Sequence, residues 1–419
     1  MNLREYQEEL SDKAVKIIKS FGLVCFAMEV RTGKTLTSLA TAKKNGAKCV
    51  LFVTKLKAIS SVLSDFKDYN PGYELITVNF ESIHKVDCSN VDFIIVDEAH
   101  KLGAFPKPNK IQKQLKEIVK ELPTVLMSGT FTPESFSQYY HILSVNGRNP
   151  FNKFKNFYAW AKVYVDLKQK FLYGRQLNDY SYAKEADIRF LTDHLFLSYT
   201  QVESGFNQQV EERVINIKMA DVTYNLCRRL KSDRVIIGKT GTILADTEVK
   251  LMNKMHQLFS GTVKLEDGSA IIIDRTKANY IFNTFFNRAS KIAIFYKFIE
   301  EGNLLRDTFP CHTSIPEDFN KDCTGEMVFI GQIQSNREGV NLSTADYLIM
   351  YNIDYAAVSY FQARARMQSK DRLKPAIVYW LFAENSLDQK IYDAVKNKKN
   401  FTLSHFKKHA GIKTAKQVH

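Results

Sequence analysis

The sequence predicts an α/β protein built from two parallel-sheet lobes with a helical insertion between them. Three observations carry that expectation. A chain of 419 residues exceeds one ordinary core, since domains run to roughly 100–200 residues. Its first 130 residues alternate strand-length apolar runs with amphipathic helical patterns, and the same alternation returns after Lys291.

In the first lobe the runs Leu23–Met28, Cys49–Thr54, Glu74–Val78, Phe93–Val96 and Thr124–Met127 are short and rich in β-branched or aromatic residues. Helical stretches such as Lys34–Lys44 lie between some of them. Uninterrupted apolar strands alternating with helices are the pattern of a parallel sheet covered on both faces. This lobe is assigned to residues 1–149. Residues 150–205 read differently, as aromatic-rich helices (PFNKFKNFYAWAKVYVDLKQ) with no run resembling a buried strand, and so as an inserted or bridging segment. The aromatic spacing over Phe151–Trp160 fits core packing, with a strand-separating wedge as the alternative.

The second lobe is assigned to residues 206–399. It opens with a strand-like Arg213–Ile217 and a helix-like Val222–Lys231. Phe259–Ile273 then reads as a hairpin turning at Asp267-Gly268. Four buried-strand candidates follow in KIAIFYKF, EMVFIGQI, YLIMYNI and AIVYWLF. Residues 400–419 form a basic tail.

Composition narrows the class of function. Hydrophobic residues are 45% and charged residues 25% of the chain, which suits a globular protein rather than a disordered one. The formal charge of +14 draws polyanions, nucleic acid foremost. The six cysteines form no CxxC pairs, which points to reduced thiols rather than a zinc site or a disulfide scaffold. The charged start MNLREYQEEL and the lack of a long apolar run predict a cytoplasmic chain with no membrane partner.

Two motifs carry the chemistry. Met28-Glu-Val-Arg-Thr-Gly33-Lys34-Thr35 follows a strand and opens a helix, the setting of a phosphate-binding loop. Backbone amides over Arg31, Thr32 and Gly33 and the helix N-terminus would hold ATP phosphates. Lys34 would reach the outer ones, and the Thr35 hydroxyl would bind Mg²⁺. The pattern departs from the usual one at Met28 and Arg31, where glycines are common, so a bulky Met28 is expected to line the loop. A second Gly238-Lys239-Thr240 lacks companion motifs and reads as accidental. The other motif, VDFIIVDEAH, ends its strand in Asp97 and Glu98. Carboxylates at the C-terminal edge of a parallel sheet sit where such sheets bind ligands. Asp97 would hold Mg²⁺, and Glu98 would deprotonate the attacking water.

The order of these motifs resembles the superfamily 2 helicases and translocases, nearest the branch holding Swi/Snf-type remodelling translocases and small phage-encoded helicases. That resemblance implies two RecA-like lobes and an ATP-dependent motor on DNA, single-stranded, duplex or branched, acting as a monomer. It implies that Arg4 and Gln7 of Leu3-Arg-Glu-Tyr-Gln7 belong to the nucleotide site, with Gln7 reading adenine. Thr54 and Lys55 in LFVTKLKAI, Asn79 in NFESI, and Ser335 in GQIQSNREGVNLSTADYLIMY would contact nucleic acid, with Gly339 near the nucleotide. His100, Ser128 and Thr130 of SGT, and Gln362 would couple ATP state to movement. In SYFQARARMQ the family's arginine finger falls on Arg366, with Arg364 as the alternate because the spacing is irregular. An RNA helicase, or the motor subunit of a larger DNA-processing complex, remains the competing reading.

Overall fold

The computed structural model describes residues 3–172, 175–201, 203–204, 210–286, 291–322, 326–336, 340–368, 372 and 375–397. The chain divides into two compact units, Met1–Phe206 and Asn207–His419.

The first unit is organised by six parallel strands. The strands Leu23–Met28 (β1), Cys49–Thr54 (β2), Glu74–Asn79 (β3), Phe93–Val96 (β4) and Thr124–Met127 (β5) stand where the apolar runs predicted them. Two further strands, Lys168–Leu172 (β6) and Arg175–Asp179 (β7), form a separate antiparallel pair. Phe196–Tyr199 (β8) completes the main sheet, whose order is β3-β2-β4-β5-β1-β8. Every residue of β2, β4 and β5 is buried, as uninterrupted apolar strands covered on both faces must be.

Residues 150–205 are packed into this unit rather than set apart. Phe151, Phe157, Trp160, Tyr164 and Leu195 share one apolar cluster with Cys25, Leu51 and Ile94 of the sheet. Phe151, Phe157 and Trp160 are buried, so these members of the aromatic run are core, and burying each such side chain stabilises by about 1.5–3 kcal/mol. The segment also departs from an all-helical reading, because β8 pairs in parallel with β1 from Cys25↔Phe196 to Met28↔Tyr199. Phe196–Tyr199 is short and only partly buried, so it carries no strong strand signal.

The second unit holds another six-stranded parallel sheet. Its strands are Val210–Ile217 (β9), Ile292–Tyr296 (β14), His312–Thr313 (β15), Val328–Gln332 (β16), Tyr347–Met350 (β17) and Ala376–Ala383 (β18), in the order β15-β16-β14-β17-β18-β9. Two antiparallel hairpins intervene in the chain. One joins Val235–Gly238 (β10) to Gly241–Leu244 (β11), and the other joins Thr262–Lys264 (β12) to Ala270–Ile272 (β13). Gly268 in the second turn has φ +90°, the left-handed conformation a tight turn requires. Lys239 and Thr240 are the two turn residues of the first hairpin, between the paired Gly238 and Gly241. That placement removes the accidental Gly-Lys-Thr from any phosphate-binding role. The basic tail lies outside the described residues.

One acidic side chain ties this unit together. Glu212 on β9 accepts hydrogen bonds from Tyr360 (2.8 Å), Trp380 Nε1 (2.9 Å) and Tyr392 (3.2 Å), and its carboxylate lies 3.2 Å from the Arg364 guanidinium. It thereby joins the edge strand to its neighbour β18 and to the helices Ala357–Arg364 and Asp388–Lys396.

Candidate functional site

Three adjacent strands of the first unit, β4, β5 and β1, deliver their C-terminal ends to one place, and the candidate residues follow directly from those ends. β1 ends at Met28, whose side chain is fully buried in the core with Val24 and Phe26. The expectation that Met28 lines the loop is therefore corrected. Strand alternation sends positions 24, 26 and 28 to the same face, and what Met28 presents to the loop is its carbonyl.

The loop after β1 turns back through two left-handed residues, Arg31 at φ +64° and Gly33 at φ +81°. Gly33 then caps the helix Lys34–Lys44. Lys34 Nζ donates to the carbonyls of Met28 (2.9 Å) and Glu29 (3.2 Å), so its ammonium lies folded across the loop. The N-terminal element braces this loop from outside. Tyr6 donates to the Thr32 carbonyl (2.9 Å), and Gln7 Nε2 donates to the Gly33 carbonyl (3.3 Å). Gln7 is buried, and its Oε1 accepts from the Arg4 amide at 3.0 Å. A Cβ built on Gly33 would collide with the Gln7 amide nitrogen, so glycine is required here by both space and backbone angle. The far side is closed by residues no sequence motif announced. Tyr199 stacks on Tyr6 with centroids 4.3 Å apart, and Gln201 Nε2 donates to the Val30 carbonyl at 2.9 Å.

At the end of β4, Asp97 is oriented from two sides. Thr54 Oγ1 donates to its Oδ2 (2.9 Å) and the Glu98 amide to its Oδ1 (2.9 Å). Thr54 is fully buried and its hydroxyl engages Asp97, so its side chain is an orienting group rather than a nucleic-acid contact. Glu98 takes a left-handed φ of +50°, a rare conformation for a residue with a side chain. Strain of this kind concentrates at functional positions.

The electrostatics separate the two carboxyls. Burial, followed by the Glu98 charge, pushes Asp97 above its ordinary value, against the opposing pull of Lys34 and Thr54. Burial also pushes Glu98 upward, but the hydrogen bond and charge of His100, with Lys34 and Lys55, outweigh it and hold Glu98 down at about 2. At neutral pH Glu98 is thus ionised, with the charges of Lys34 and Lys55 acting on it. His100 Nδ1 lies 3.2 Å from Glu98 Oε2 and 3.1 Å from Ser128 Oγ at the end of β5. Ser128 in turn donates to the Thr130 carbonyl at 2.8 Å. His100, Ser128 and Thr130, expected as coupling residues, therefore form one chain with Glu98.

Asn79 donates to Glu81 at 3.0 Å. Thr35 opens the helix after the loop, and Lys55 follows the buried Thr54. In the second unit Ser335 is exposed on the short helix Ile333–Asn336, while Gly339 lies outside the described residues. Arg366 is buried, its Nε donating to the Gln362 carbonyl (2.8 Å) and its NH1 to Val340 (3.4 Å). Arg364 is paired with Glu212. Glu212 was not legible as a site residue, because an acid in the alternating run VEERVINI reads as solvent-facing.

Residues 1–134 match the family model described as "Type III restriction enzyme, res subunit". A 67-residue stretch is 34% identical to the human "Lymphoid-specific helicase", spanning 16% of this chain and 8% of that protein. Two solved structures of the Sulfolobus solfataricus SWI2/SNF2 ATPase core are also similar. One, in complex with dsDNA, is 18% identical, with 98% of this chain and 94% of that one covered at a TM-score of 0.40. The other is 15% identical, with 99% and 91% covered at a TM-score of 0.41. Among the described residues no helix is long and apolar enough to cross a membrane.

Proposed function

We propose, from the premise that this chain is a superfamily 2 helicase of the Swi/Snf-like branch, that it hydrolyses ATP and couples hydrolysis to movement along or remodelling of DNA. The observation that carries the reading is the charge pattern at the ends of β1, β4 and β5. There a loop lysine, a half-buried aspartate, an ionised glutamate and a histidine–serine link converge. Donor chemistry fits Mg-ATP: Asp97, a half-buried carboxyl raised above its ordinary value, would be relieved by a divalent cation, and Thr35 would supply a hydroxyl. Bound there, Mg²⁺ would neutralise charge on the phosphates. Lys34 holds the outer phosphate oxygens, Gly33 and the helix start offer amides, and Glu98 takes the proton of the attacking water. Gln7 and Arg4 belong to the base end of this site.

Arg366 is assigned the γ-phosphate contact, with Arg364 as the alternate. Lys55, Asn79 and Ser335 are assigned to the nucleic-acid backbone, and Gln362 to coupling. DNA is favoured over RNA by the Arg-x-Tyr-Gln start and the SGTFTPES segment. Phosphate release measured with and without single-stranded DNA, duplex DNA and RNA tests the proposal. DNA should accelerate release, and Lys34→Ala or Glu98→Gln should lower it by about 10²–10⁴-fold. A turnover insensitive to every nucleic acid would sink the motor reading, and undiminished turnover in the variants would sink the site.

A further inference from the structure

Lined by none of the residues of the proposed nucleotide site, a concavity of about 540 Å³ lies in the first unit between the helix Lys110–Val119 and the start of the helix Phe157–Tyr164. Its floor is apolar and aromatic, with Pro106, His141 and Phe157, and Lys107, Lys113, Lys116 and Lys155 stand along it with a single acid, Glu117. The sequence KPNKIQKQLK repeats lysine every third residue from Lys107 to Lys116. On a helix, residues three apart are neighbours, and like charges so placed repel. None of the four lysines lining the groove has an ion-pair partner among the described residues, and all four are exposed. A self-repelling row retained beside an apolar floor suits an anionic ligand.

The floor argues for what the ligand carries besides charge. Tyr158 is 42% exposed, and its ring stands at 83° to Phe157 and 68° to Tyr180. It is thereby held by ring neighbours while remaining open to solvent. His141 donates through Nε2 to the Pro106 carbonyl (3.0 Å), and burial, with the Lys116 charge, keeps its pKa below the ordinary value. The imidazole is therefore neutral at pH 7, and the positive charge belongs to the lysines. A charged track beside an aromatic surface is how proteins hold unpaired strands, phosphates on the cations and bases on the rings. A duplex keeps its bases stacked inside and would leave the floor unused.

We infer that this groove is an auxiliary single-strand surface, taking the phosphates of an unpaired nucleic-acid segment on the lysine row and a base against Tyr158. The inference rests on the proposal that the chain works on nucleic acid. It adds a contact distinct from Lys55, Asn79 and Ser335.

The test uses the full chain and a fluorescent thymidine oligonucleotide, with the matching duplex and an Asp/Glu-rich peptide as further probes. Lys113→Glu with Lys116→Glu should weaken the single strand by at least about tenfold at low salt. The same variant should flatten the log–log salt dependence by roughly 1.4, two phosphates' worth for single strands. Tyr158→Ala should weaken the oligonucleotide and spare the duplex, and Tyr158→Phe should restore it. ATP turnover without nucleic acid should not change. In the wild type, photo-crosslinking of the oligonucleotide should label the peptide containing Tyr158, which needs no variant. Unchanged oligonucleotide binding in the charge-reversed protein, equal losses for strand and duplex, tighter capture of the acidic peptide, or crosslinks confined elsewhere would each overturn the assignment. If the wild type binds no nucleic acid at all, the proposed function fails first and this inference with it.

Discussion

His100 Nδ1 lies 3.1 Å from the hydroxyl oxygen of Ser128, so the turn after β4 is linked through side chains to the turn after β5. The Ser128 hydroxyl donates onward to the Thr130 carbonyl. The same imidazole nitrogen also faces Glu98, at 3.2 Å. We propose that this link couples turnover at Glu98 to movement of the loop that carries Ser128 and Thr130.

Ser128→Ala should therefore leave nucleotide affinity intact and lower nucleic-acid-stimulated turnover by about tenfold, roughly 1.4 kcal/mol. Basal turnover should fall much less. Steady-state phosphate release with and without DNA, beside a nucleotide titration, checks this. An equal loss in both conditions would assign Ser128 to chemistry rather than coupling.

Gly33→Ala should be harmful twice over, through its positive φ and through collision with Gln7. The backbone term alone is about 1–2 kcal/mol, and nucleotide affinity should fall by at least about tenfold, roughly 1.4 kcal/mol. Adding Gln7→Ala removes the collision and leaves the backbone strain. The double variant should be less impaired than the sum of the single ones, as thermal melts and nucleotide binding will show. Strict additivity would mean the Gln7 contact is not what excludes a side chain at Gly33.

Glu212→Gln should destabilise the second unit by about 1.5–3 kcal/mol, the scale for losing hydrogen bonds to a charged group in a partly buried network. Glu212→Ala, which also removes the acceptors of Tyr360, Trp380 and Tyr392, should cost more. Denaturant unfolding followed by tryptophan fluorescence is suited to the measurement, since Trp380 Nε1 donates to this carboxylate.

A pH effect is expected from His256, which is buried among Lys277, Lys297 and Asp388, with Tyr355 3.0 Å from Nδ1. Burial, then the charges of Lys297 and Lys277, hold its pKa well below 6.5. The folded chain keeps it neutral while the unfolded chain binds a proton near pH 6.5. The unfolded state then carries more protons, so stability falls as pH drops below about 6.5, by up to about 1.4 kcal/mol per unit. Neighbouring Glu301, raised by burial, acts in the opposite sense because it takes its proton more readily when folded. Comparing wild type with His256→Gln isolates the histidine. The variant should lose stability more slowly between pH 6.5 and 5, and parallel curves would remove His256 from the account.

Much of the fold was legible because buried parallel strands are written as uninterrupted apolar runs. FIIV and TVLM matched β4 and β5 residue for residue, and AIVYWLF fell one residue short of β18. What the pattern could not give was context. Phe196–Tyr199 is too short and too exposed to stand out, and it becomes a strand because β1 offers it a partner. Lys34, Asp97, Glu98 and Ser128 stood out in the sequence because the proposed chemistry demands each residue type at a fixed spacing, and the strand ends of the first unit bring them near one another. Thr54 was assigned outward from its motif, yet lies at the buried end of β2 with its hydroxyl on Asp97. Tyr199 and Gln201 were invisible because their importance arises only from folding back onto a loop some 170 residues earlier in the chain.

The pairing of β8 with β1 also has a practical meaning for anyone dissecting this protein. A fragment ending near residue 149 would strip β1 of its outer neighbour and expose an open row of backbone amides and carbonyls. Such an edge recruits other chains. It would also lose the aromatic segment around Trp160 and so uncover the apolar residues packed against it, Tyr140 among them, so insolubility of that fragment would report a misplaced cut rather than an unstable lobe. A fragment carried through Gln201 keeps both the edge strand and the side chain that holds Val30.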